Sequence, residues 1–165
     1  MNPKLSVRET EKYGKGIYSE SVIKKDECVA ILGGHIYNIE YEKKLPEKIK
    51  DNGIQISDEL ILGIINESEI EDAIYFNHSC DPNIGIKGQI FLVAMKNINK
   101  NKQLYFDYAM TLGGKEKYSM DCLCGSLNCR GKITNNDWKI PVLQKKYKGY
   151  FQWYIEEKIK KLKKK

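Results

Sequence analysis

Three of the five cysteines in this 165-residue chain are crowded into residues 122–129. They form the pattern Cys-x-Cys-x4-Cys at Cys122, Cys124 and Cys129, and Gly125 suits a tight loop between them. An odd number of cysteines with this close spacing favours a metal site over a disulfide framework, and three reduced, unligated thiols are the alternative. A structural Zn²⁺ takes four ligands, so a fourth must come from outside this loop.

Two cysteines stand upstream, and each has another interpretation. Cys28 lies in an apolar run and is predicted to be a buried core thiol. Cys80 follows His78 by two residues, which raises the hypothesis of a cysteine hydrolase. The sequence places no acid or amide to orient that histidine, and a metal-bound Cys80 could not act as a nucleophile, so we disfavour the hydrolase.

Composition and charge place the chain among globular proteins. It is 41% hydrophobic and 30% charged, which suits one domain with a single core. No apolar run approaches the roughly 18 residues of a transmembrane helix, and the N-terminus lacks the apolar segment of a signal peptide. We therefore predict an intracellular protein without membrane contact.

The charge is uneven along the chain. Residues 139–165 hold ten lysines and two glutamates, a net of +8, which leaves −2 for the rest because the whole chain carries +6. The first interpretation of this tail is a solvated helix face with a frayed end at Lys163–Lys165. The second is weak contact with nucleic acid or another anionic partner.

Short apolar runs separated by turn residues predict a mostly β, β-rich α+β body. The predicted strands are residues 28–32, 54–56, 60–62 and 104–108, with a hairpin of 83–87 and 89–96 about Gly88. Residues 38–51 show no clear period and are predicted to form a loop or a short helix.

The C-terminal segment has a helical period instead. Its apolar residues recur at three- and four-residue spacing, at Leu143, Tyr147, Phe151, Ile155, Ile159 and Leu162. Asp137 is a candidate cap, and Pro141 suits a first helical turn. We predict one amphipathic helix over residues 141–162 whose apolar stripe packs on the body.

Three motifs occur in order ahead of the cysteine loop. They are Gly14-Lys15-Gly16-Ile17, then Asn77-His78-Ser79-Cys80-Asp81-Pro82-Asn83, then Leu104-Tyr105-Phe106-Asp107-Tyr108. This order resembles the SET-domain protein-lysine methyltransferases with a post-SET zinc segment, over roughly residues 5–133. The resemblance implies S-adenosylmethionine as the methyl donor and a SET fold, in which short sheets surround a pseudoknot-like core that general rules would call rare.

The resemblance also implies roles for individual residues. It makes Cys80 the fourth zinc ligand beside Cys122, Cys124 and Cys129, and Tyr108 the catalytic residue. The implied cofactor-binding residues are Lys15, Gly16, Ile17, Tyr75, Asn77, His78, Tyr108 and Leu123. The implied substrate channel consists of Tyr75, Tyr105, Phe106 and Tyr108. The implied units are a SET catalytic domain (1–119), a post-SET zinc-binding segment (120–133) and a C-terminal helix with a basic tail (134–165).

The chain departs from the family pattern at three places. The second motif usually carries a tyrosine and an acid around its glycine, whereas this chain has Ile31-Leu32-Gly33-Gly34. Tyr37 or Tyr41 is a candidate replacement for that tyrosine. Ile74 stands where an arginine is common, and Gln103 where a glutamate is common.

The function implied is methylation of a lysine in a basic protein segment, such as a histone tail. Phe106, just before the Asp-Tyr pair, implies di- or trimethylation. Acidic residues ahead of the Asn77–Asn83 motif are predicted either to form a rim for a basic peptide or to be ordinary solvated charges: Asp58, Glu59, Glu67, Glu69, Glu71 and Asp72. The alternative is a catalytically weak SET module that acts as a zinc-stabilised protein- or nucleic-acid-binding domain.

Overall fold

The computed structural model describes residues 1–12 and 14–164, and these form twelve short strands and three α-helices. The strands are β1 (Leu5–Thr10), β2 (Gly14–Ser19), β3 (Cys28–Ile31), β4 (His35–Asn38), β5 (Ile54–Gln55), β6 (Leu60–Gly63), β7 (Asn77–His78), β8 (Ile84–Lys87), β9 (Phe91–Ala94), β10 (Tyr105–Phe106), β11 (Ser119–Asp121) and β12 (Lys132–Thr134). The helices are α1 (Ile39–Glu42), α2 (Pro141–Lys146) and α3 (Trp153–Leu162). The prediction of a mostly β body is confirmed.

The strands pair into several small sheets rather than one large one. β1 and β2 form an antiparallel hairpin, and two three-stranded sheets have the orders β3-β9-β8 and β4-β6-β5. β11 pairs with β12 on either side of the cysteine loop. The predicted hairpin about Gly88 is confirmed, and Gly88 makes its turn with a left-handed φ of 61°.

The parallel pair β7–β10 is short but positions the site. Asn77 lies opposite Tyr105, and His78 lies opposite Phe106. Parallel strands cannot be joined by a tight turn, so the β8–β9 hairpin and its flanking loops form the crossover between them. Two motifs that are distant in the sequence therefore meet side by side.

The prediction of one continuous helix over residues 141–162 is wrong, because residues 147–152 separate α2 from α3. Gly149 has a left-handed φ of 80°, which is incompatible with a helix interior. The backbone here pairs with the β8–β9 hairpin instead, since the N–H of Ile86 donates to the carbonyl of Tyr150 at 3.0 Å. A tertiary hydrogen bond thus replaces the helical ones.

The apolar stripe of this segment is buried all the same. The residues of the stripe that lie in the core are Leu143, Tyr147, Phe151, Ile155 and Ile159. Leu162, in contrast, is 45% exposed. Lys163 and Lys164 are exposed, and Lys165 lies outside the described residues.

Two further local predictions are wrong. Asp137 does not cap α2, whose N-cap is Ile140; it accepts a hydrogen bond from Arg130 instead. Cys28 is exposed, because β3 buries only its two central residues. In the described part of the chain, no helix has both the length and the apolar character needed to cross a membrane.

Candidate functional site

Four cysteine sulfurs converge on one point. The Sγ atoms of Cys80, Cys122, Cys124 and Cys129 all lie within 4.8 Å of one another. Cys80 follows β7, and the other three lie in the loop between β11 and β12. The structure therefore brings together the four cysteines that the resemblance implied. Through them the loop between β11 and β12 lies against the end of β7.

The donor set fits a tetrahedral metal site. The N–H of Arg130 donates to Cys80 Sγ and the N–H of Gly131 to Cys129 Sγ, both at 3.4 Å. Burial raises the pKa of the Cys80 thiol to about 11, so this sulfur keeps its proton when no cation is near. A divalent cation would displace that proton, because the thiolate is the metal-binding form.

The glycine turn between β1 and β2 is tied to β7. The side-chain Nδ2 of Asn77 donates to the carbonyl oxygen of Lys15 at 2.8 Å. Gly16 lies against Gln103, since a Cβ there would meet Nε2 at the end of that side chain. That Nε2 is buried and has no hydrogen-bond partner among the described residues. An unsatisfied donor beside this turn fits the polar end of S-adenosylmethionine.

The cysteine loop approaches the same turn. A Cβ built on Gly125 would lie 3.6 Å from Nζ of Lys12, at the tip of the β1–β2 hairpin. Leu123, on this loop, is 69% exposed, so its apolar side chain is accessible to a ligand. Ile17, in contrast, is fully buried, so its side chain is not available to a ligand.

Tyr75 lies on this side of the molecule. The Nζ of Lys15 lies 5.3 Å from the centroid of the Tyr75 ring. Both residues line a cavity of about 380 Å³ together with Glu71 and Asp72.

Tyr108 begins a 3₁₀ turn, Tyr108–Met110, which Asp107 separates from the end of β10. Its ring centroid lies 5.1 Å from that of His78 and 5.0 Å from that of Phe106. Burial raises the pKa of the Tyr108 phenol to about 12, so the hydroxyl stays neutral well into the alkaline range.

His78 is a neutral side chain that bridges two parts of the site. Burial lowers its pKa to about 4, although the carboxylate of Asp107 acts in the opposite direction. Its Nδ1 accepts a hydrogen bond from the backbone N–H of Tyr108, which assigns the proton to Nε2, 3.4 Å from Cys80 Sγ. The 3.7 Å approach of His78 to Asp107 is therefore not an ion pair.

Phe106 and Tyr108 line another cavity, which has a volume of about 520 Å³ and is larger than the one beside Tyr75. Residues 51–55 and 61–64 form much of the rest of its wall. The carboxylates in this wall are Glu42, Asp51, Glu69 and Glu71. No lysine or arginine of the described chain lines it. This combination suits a guest with an apolar stem and a cationic end.

The other tyrosines that were predicted for the site lie outside the larger cavity. Neither Tyr75 nor Tyr105 is among the described residues that line this cavity. The hydroxyl of Tyr105 instead donates a hydrogen bond to Oε1 of Gln103 at 2.6 Å. Tyr37 is buried in a small separate core, and Tyr41 is 46% exposed. Besides Tyr108, Tyr118 lines the cavity; it was not predicted from the sequence because it belongs to none of the motifs.

The predicted acidic rim is divided. Asp58, Glu59 and Glu67 pair with Lys158, Lys115 and Lys48. Glu69 and Glu71 line the larger cavity, and Glu71 and Asp72 line the smaller one. Half of the rim is therefore neutralised by the protein itself.

A buried ion pair was also missed. The guanidinium of Arg130 bonds the carboxylate of Asp107 at 2.6 and 2.7 Å. Arg130 follows the last cysteine, and Asp107 precedes Tyr108. The sequence does not predict that they pair, because the pairing depends on how two distant segments meet.

Known proteins with similar sequences agree on one family. The family model described as SET domain matches residues 14–109, more than half of the chain. The histone-lysine N-methyltransferase ASHH3 of Arabidopsis thaliana is 27% identical over 143 residues, 79% of this chain and 38% of that protein. The H3 lysine-4 specific histone-lysine N-methyltransferase of Saccharomyces cerevisiae is 28% identical over 131 residues, 70% of this chain and 12% of that protein. The chain thus spans well under half the length of these relatives.

Solved structures agree on the fold. The crystal structure of KRYPTONITE in complex with mCHG DNA and SAH matches with a TM-score of 0.60 and 24% identity, over 78% of this chain and 28% of that one. The prediction of short sheets in the SET arrangement, with its pseudoknot-like core, is therefore confirmed.

Proposed function

Because this chain belongs to the SET-domain family, we propose that it is an S-adenosylmethionine-dependent protein-lysine N-methyltransferase. The observation that carries the proposal is the place of Tyr108. It stands in the wall of a cavity of about 520 Å³ that contains four carboxylates and, among the described residues, no lysine or arginine. Such a lining attracts a lysine side chain and repels no part of it.

The lysine must lose a proton before it can attack. Its reference pKa is about 10.4, and an apolar channel lowers that value because desolvation disfavours the ammonium form. Tyr108 orients the reacting groups through its neutral hydroxyl and excludes water. S-adenosylmethionine, when bound, supplies an electrophilic methyl group. Because His78 is neutral and bonded on both ring nitrogens, no general base is assigned.

We place the cofactor between the glycine turn, β7 and the cysteine loop. The proposed contact residues are Lys15, Gly16, Ile17, Tyr75, Asn77, His78, Tyr108 and Leu123. The bond from Asn77 to Lys15 and the exposed Leu123 support this placement. Ile17 would contribute its backbone alone, because its side chain is in the core.

The proposed substrate channel contains Phe106 and Tyr108, both supported by the cavity they line. Tyr75 and Tyr105 remain predictions for the channel, and Tyr118 joins it as a cavity residue. We propose di- or trimethylation, because Phe106 has no hydroxyl to hold the amine or a water and so leaves room for a methylated nitrogen to turn.

We propose one structural Zn²⁺ at Cys80, Cys122, Cys124 and Cys129. Four thiolates form the common structural zinc set, and their convergence supports it. The proposed units are residues 1–119, 120–133 and 134–165; β11 crosses the first of these boundaries.

The proposed partner is a lysine-bearing basic segment of an intracellular protein. The relatives are named for histones, and the carboxylates of the cavity suit such a segment. We also propose weak contact with nucleic acid through the exposed lysines at the end of α3, including Lys161, Lys163 and Lys164. A module that binds without turnover is the alternative, and the place of Tyr108 in the wall of the larger cavity argues against it.

The test is transfer of radiolabelled methyl from S-adenosylmethionine to mixed core histones and to a cell lysate. Acid hydrolysis should recover the label in methyl-lysine, and histones with acetylated lysines should accept none. Tyr108→Phe, which keeps the ring, should nearly abolish labelling. Tyr41→Phe is the matched control, because Tyr41 is 46% exposed and outside the cavity that the described residues form. Absence of labelling with metal-loaded wild type on every substrate would favour the binding module.

A further inference from the structure

Arg130 connects the cysteine loop to the turn that carries Tyr108. Its Nη1 donates to Oδ2 of Asp107 at 2.6 Å, and its Nη2 donates to Oδ1 of Asp107 at 2.7 Å. Its Nε donates to Asp137 at 2.9 Å. Its own backbone N–H donates to Cys80 Sγ at 3.4 Å. One residue therefore contacts the cysteine cluster with its backbone and Asp107 with its side chain.

Asp107 is fully buried, and its carboxylate is fully engaged. Besides Arg130, Oδ1 accepts the N–H of Ala109 at 3.0 Å and Oδ2 accepts the hydroxyl of Tyr147 at 2.9 Å. The bond to Ala109 caps the 3₁₀ turn whose first residue is Tyr108. The direction in which that turn leaves β10 therefore depends on the orientation of this one carboxylate.

Two parallel N–H···O bonds fix both the distance and the angle between a guanidinium and a carboxylate. A lysine ammonium in the same place would neutralise the charge but would not fix the angle. Methyl transfer depends on alignment, and a displacement of about 1 Å can reduce a rate on the order of 10²-fold. The geometry at Asp107 is thus of a kind that alignment requires.

We propose that Arg130 is a positioning residue for methyl transfer, which acts through Asp107 on the placement of Tyr108 and makes that placement depend on the cysteine loop. The proposal rests on the proposed function for its kinetic consequence. Arg130 itself lines neither cavity formed by the described residues, so it acts without touching a ligand there.

The first experiment is Arg130→Lys in the metal-loaded protein, with core histones as the probe substrate. We expect kcat to fall by about tenfold or more, while the KM values for S-adenosylmethionine and histones stay within about twofold. Zinc content should remain at about one equivalent, because no sulfur ligand is changed. Asp137→Asn, which alters the partner of Nε and leaves Asp107 untouched, should keep kcat within about threefold.

The second experiment uses NMR to detect a change in the environment of the Tyr108 ring directly. In protein with ¹³Cζ-labelled tyrosine, the Tyr108 resonance is assigned by its loss in Tyr108→Phe. Arg130→Lys should shift or broaden that resonance and leave that of the exposed Tyr41 unchanged. This measurement needs no turnover, so it decides the effect of Arg130 on Tyr108 even if no substrate is ever methylated.

A third variant covers the case in which Arg130→Lys does not fold. Arg130→Met with Asp107→Asn and Asp137→Asn removes Arg130 together with the charge of both carboxylates that pair with it. No charge of this network then stays buried and unpaired, so the variant should fold. We expect it to remain slow and to show the displaced Tyr108 resonance. The proposal is wrong if a folded variant keeps wild-type kcat and an unmoved Tyr108 resonance, or if kcat falls only together with loss of zinc.

Discussion

The backbone N–H of Tyr108 donates a hydrogen bond of 3.2 Å to Nδ1 of His78. The other ring nitrogen of His78 lies 3.4 Å from Cys80 Sγ. One side chain thus joins the residue proposed for catalysis to the cysteine cluster. The contact exists because β7 and β10 run parallel and pair His78 with Phe106, two residues before Tyr108.

The metal and the cofactor should be lost together. Cys124→Ser removes one of four converging sulfurs, so zinc should fall well below one equivalent per chain. The loop that carries Leu123 would lose its anchor, and S-adenosylmethionine should bind at least about tenfold more weakly. Cys28→Ser is the matched control, because Cys28 is exposed and outside the cluster. Metal analysis with calorimetric cofactor titration measures both; full cofactor affinity in a zinc-free variant would contradict the coupling.

The rate should rise with pH. Tyr108 has a pKa near 12 and His78 a pKa near 4, so neither changes charge between pH 6 and 9. The group that titrates is the substrate ammonium, which must be deprotonated to attack, so kcat should climb from neutral into alkaline pH. Single-turnover rates across this range test it. A rate that does not change with pH from pH 6 upward would point to a general base in the protein or to a rate-limiting step other than methyl transfer.

Glu42 should tune substrate binding near neutral pH. Burial raises its pKa to about 7, and the nearby charges of Asp51 and Glu116 act in the same direction. Glu42 therefore gains its negative charge as pH rises through about 7, and KM for a lysine peptide should fall over that interval. Glu42→Gln should remove this part of the pH dependence of KM. Glu47→Gln is the control, since Glu47 is exposed and forms no part of the cavity lining in the described chain.

The number of methyl groups should depend on Phe106. Phe106 is buried and lines the larger cavity, with its ring centroid 5.0 Å from that of Tyr108. Phe106→Tyr places a hydroxyl that can hold a water or the amine, so the product should shift from di- or trimethyl-lysine toward monomethyl-lysine. Mass spectrometry of a substrate peptide at long times gives the product distribution. A wild type that stops at monomethyl-lysine with cofactor in excess would assign the restriction to another residue, with Tyr118 the first to examine.

The segment between α2 and α3 should contribute strongly to stability. Phe151 is 2% exposed and packs edge-on against Tyr147 with ring centroids 6.0 Å apart. Phe151→Ala should lower the free energy of unfolding by about 3–5 kcal/mol. Trp153→Ala, two residues on and 59% exposed, should lower it by less than about 1 kcal/mol. Urea unfolding monitored by circular dichroism compares the two, and equal losses would show that the segment is not core.

Local spacing let the sequence alone establish several features. The cysteine loop, the Gly88 hairpin and the glycine turn were all predicted, because each is set by residues that are neighbours in the chain. The burial of the apolar stripe from Leu143 to Ile159 was likewise predicted, because hydrophobic side chains are buried even where the backbone is not helical. Resemblance, rather than spacing, supplied Cys80 as the fourth sulfur and Tyr108 as the catalytic residue.

Tertiary structure decided the rest. The helix predicted over residues 141–162 is broken because the N–H of Ile86 finds the carbonyl of Tyr150, a partner that no local pattern reveals. Tyr118 faces the cavity, and Arg130 bonds Asp107, only because β7 and β10 bring their motifs side by side and the cysteine cluster draws its loop onto them. Contacts between distant segments depend on how the whole chain packs, whereas periodicity and spacing report only what lies within a few residues.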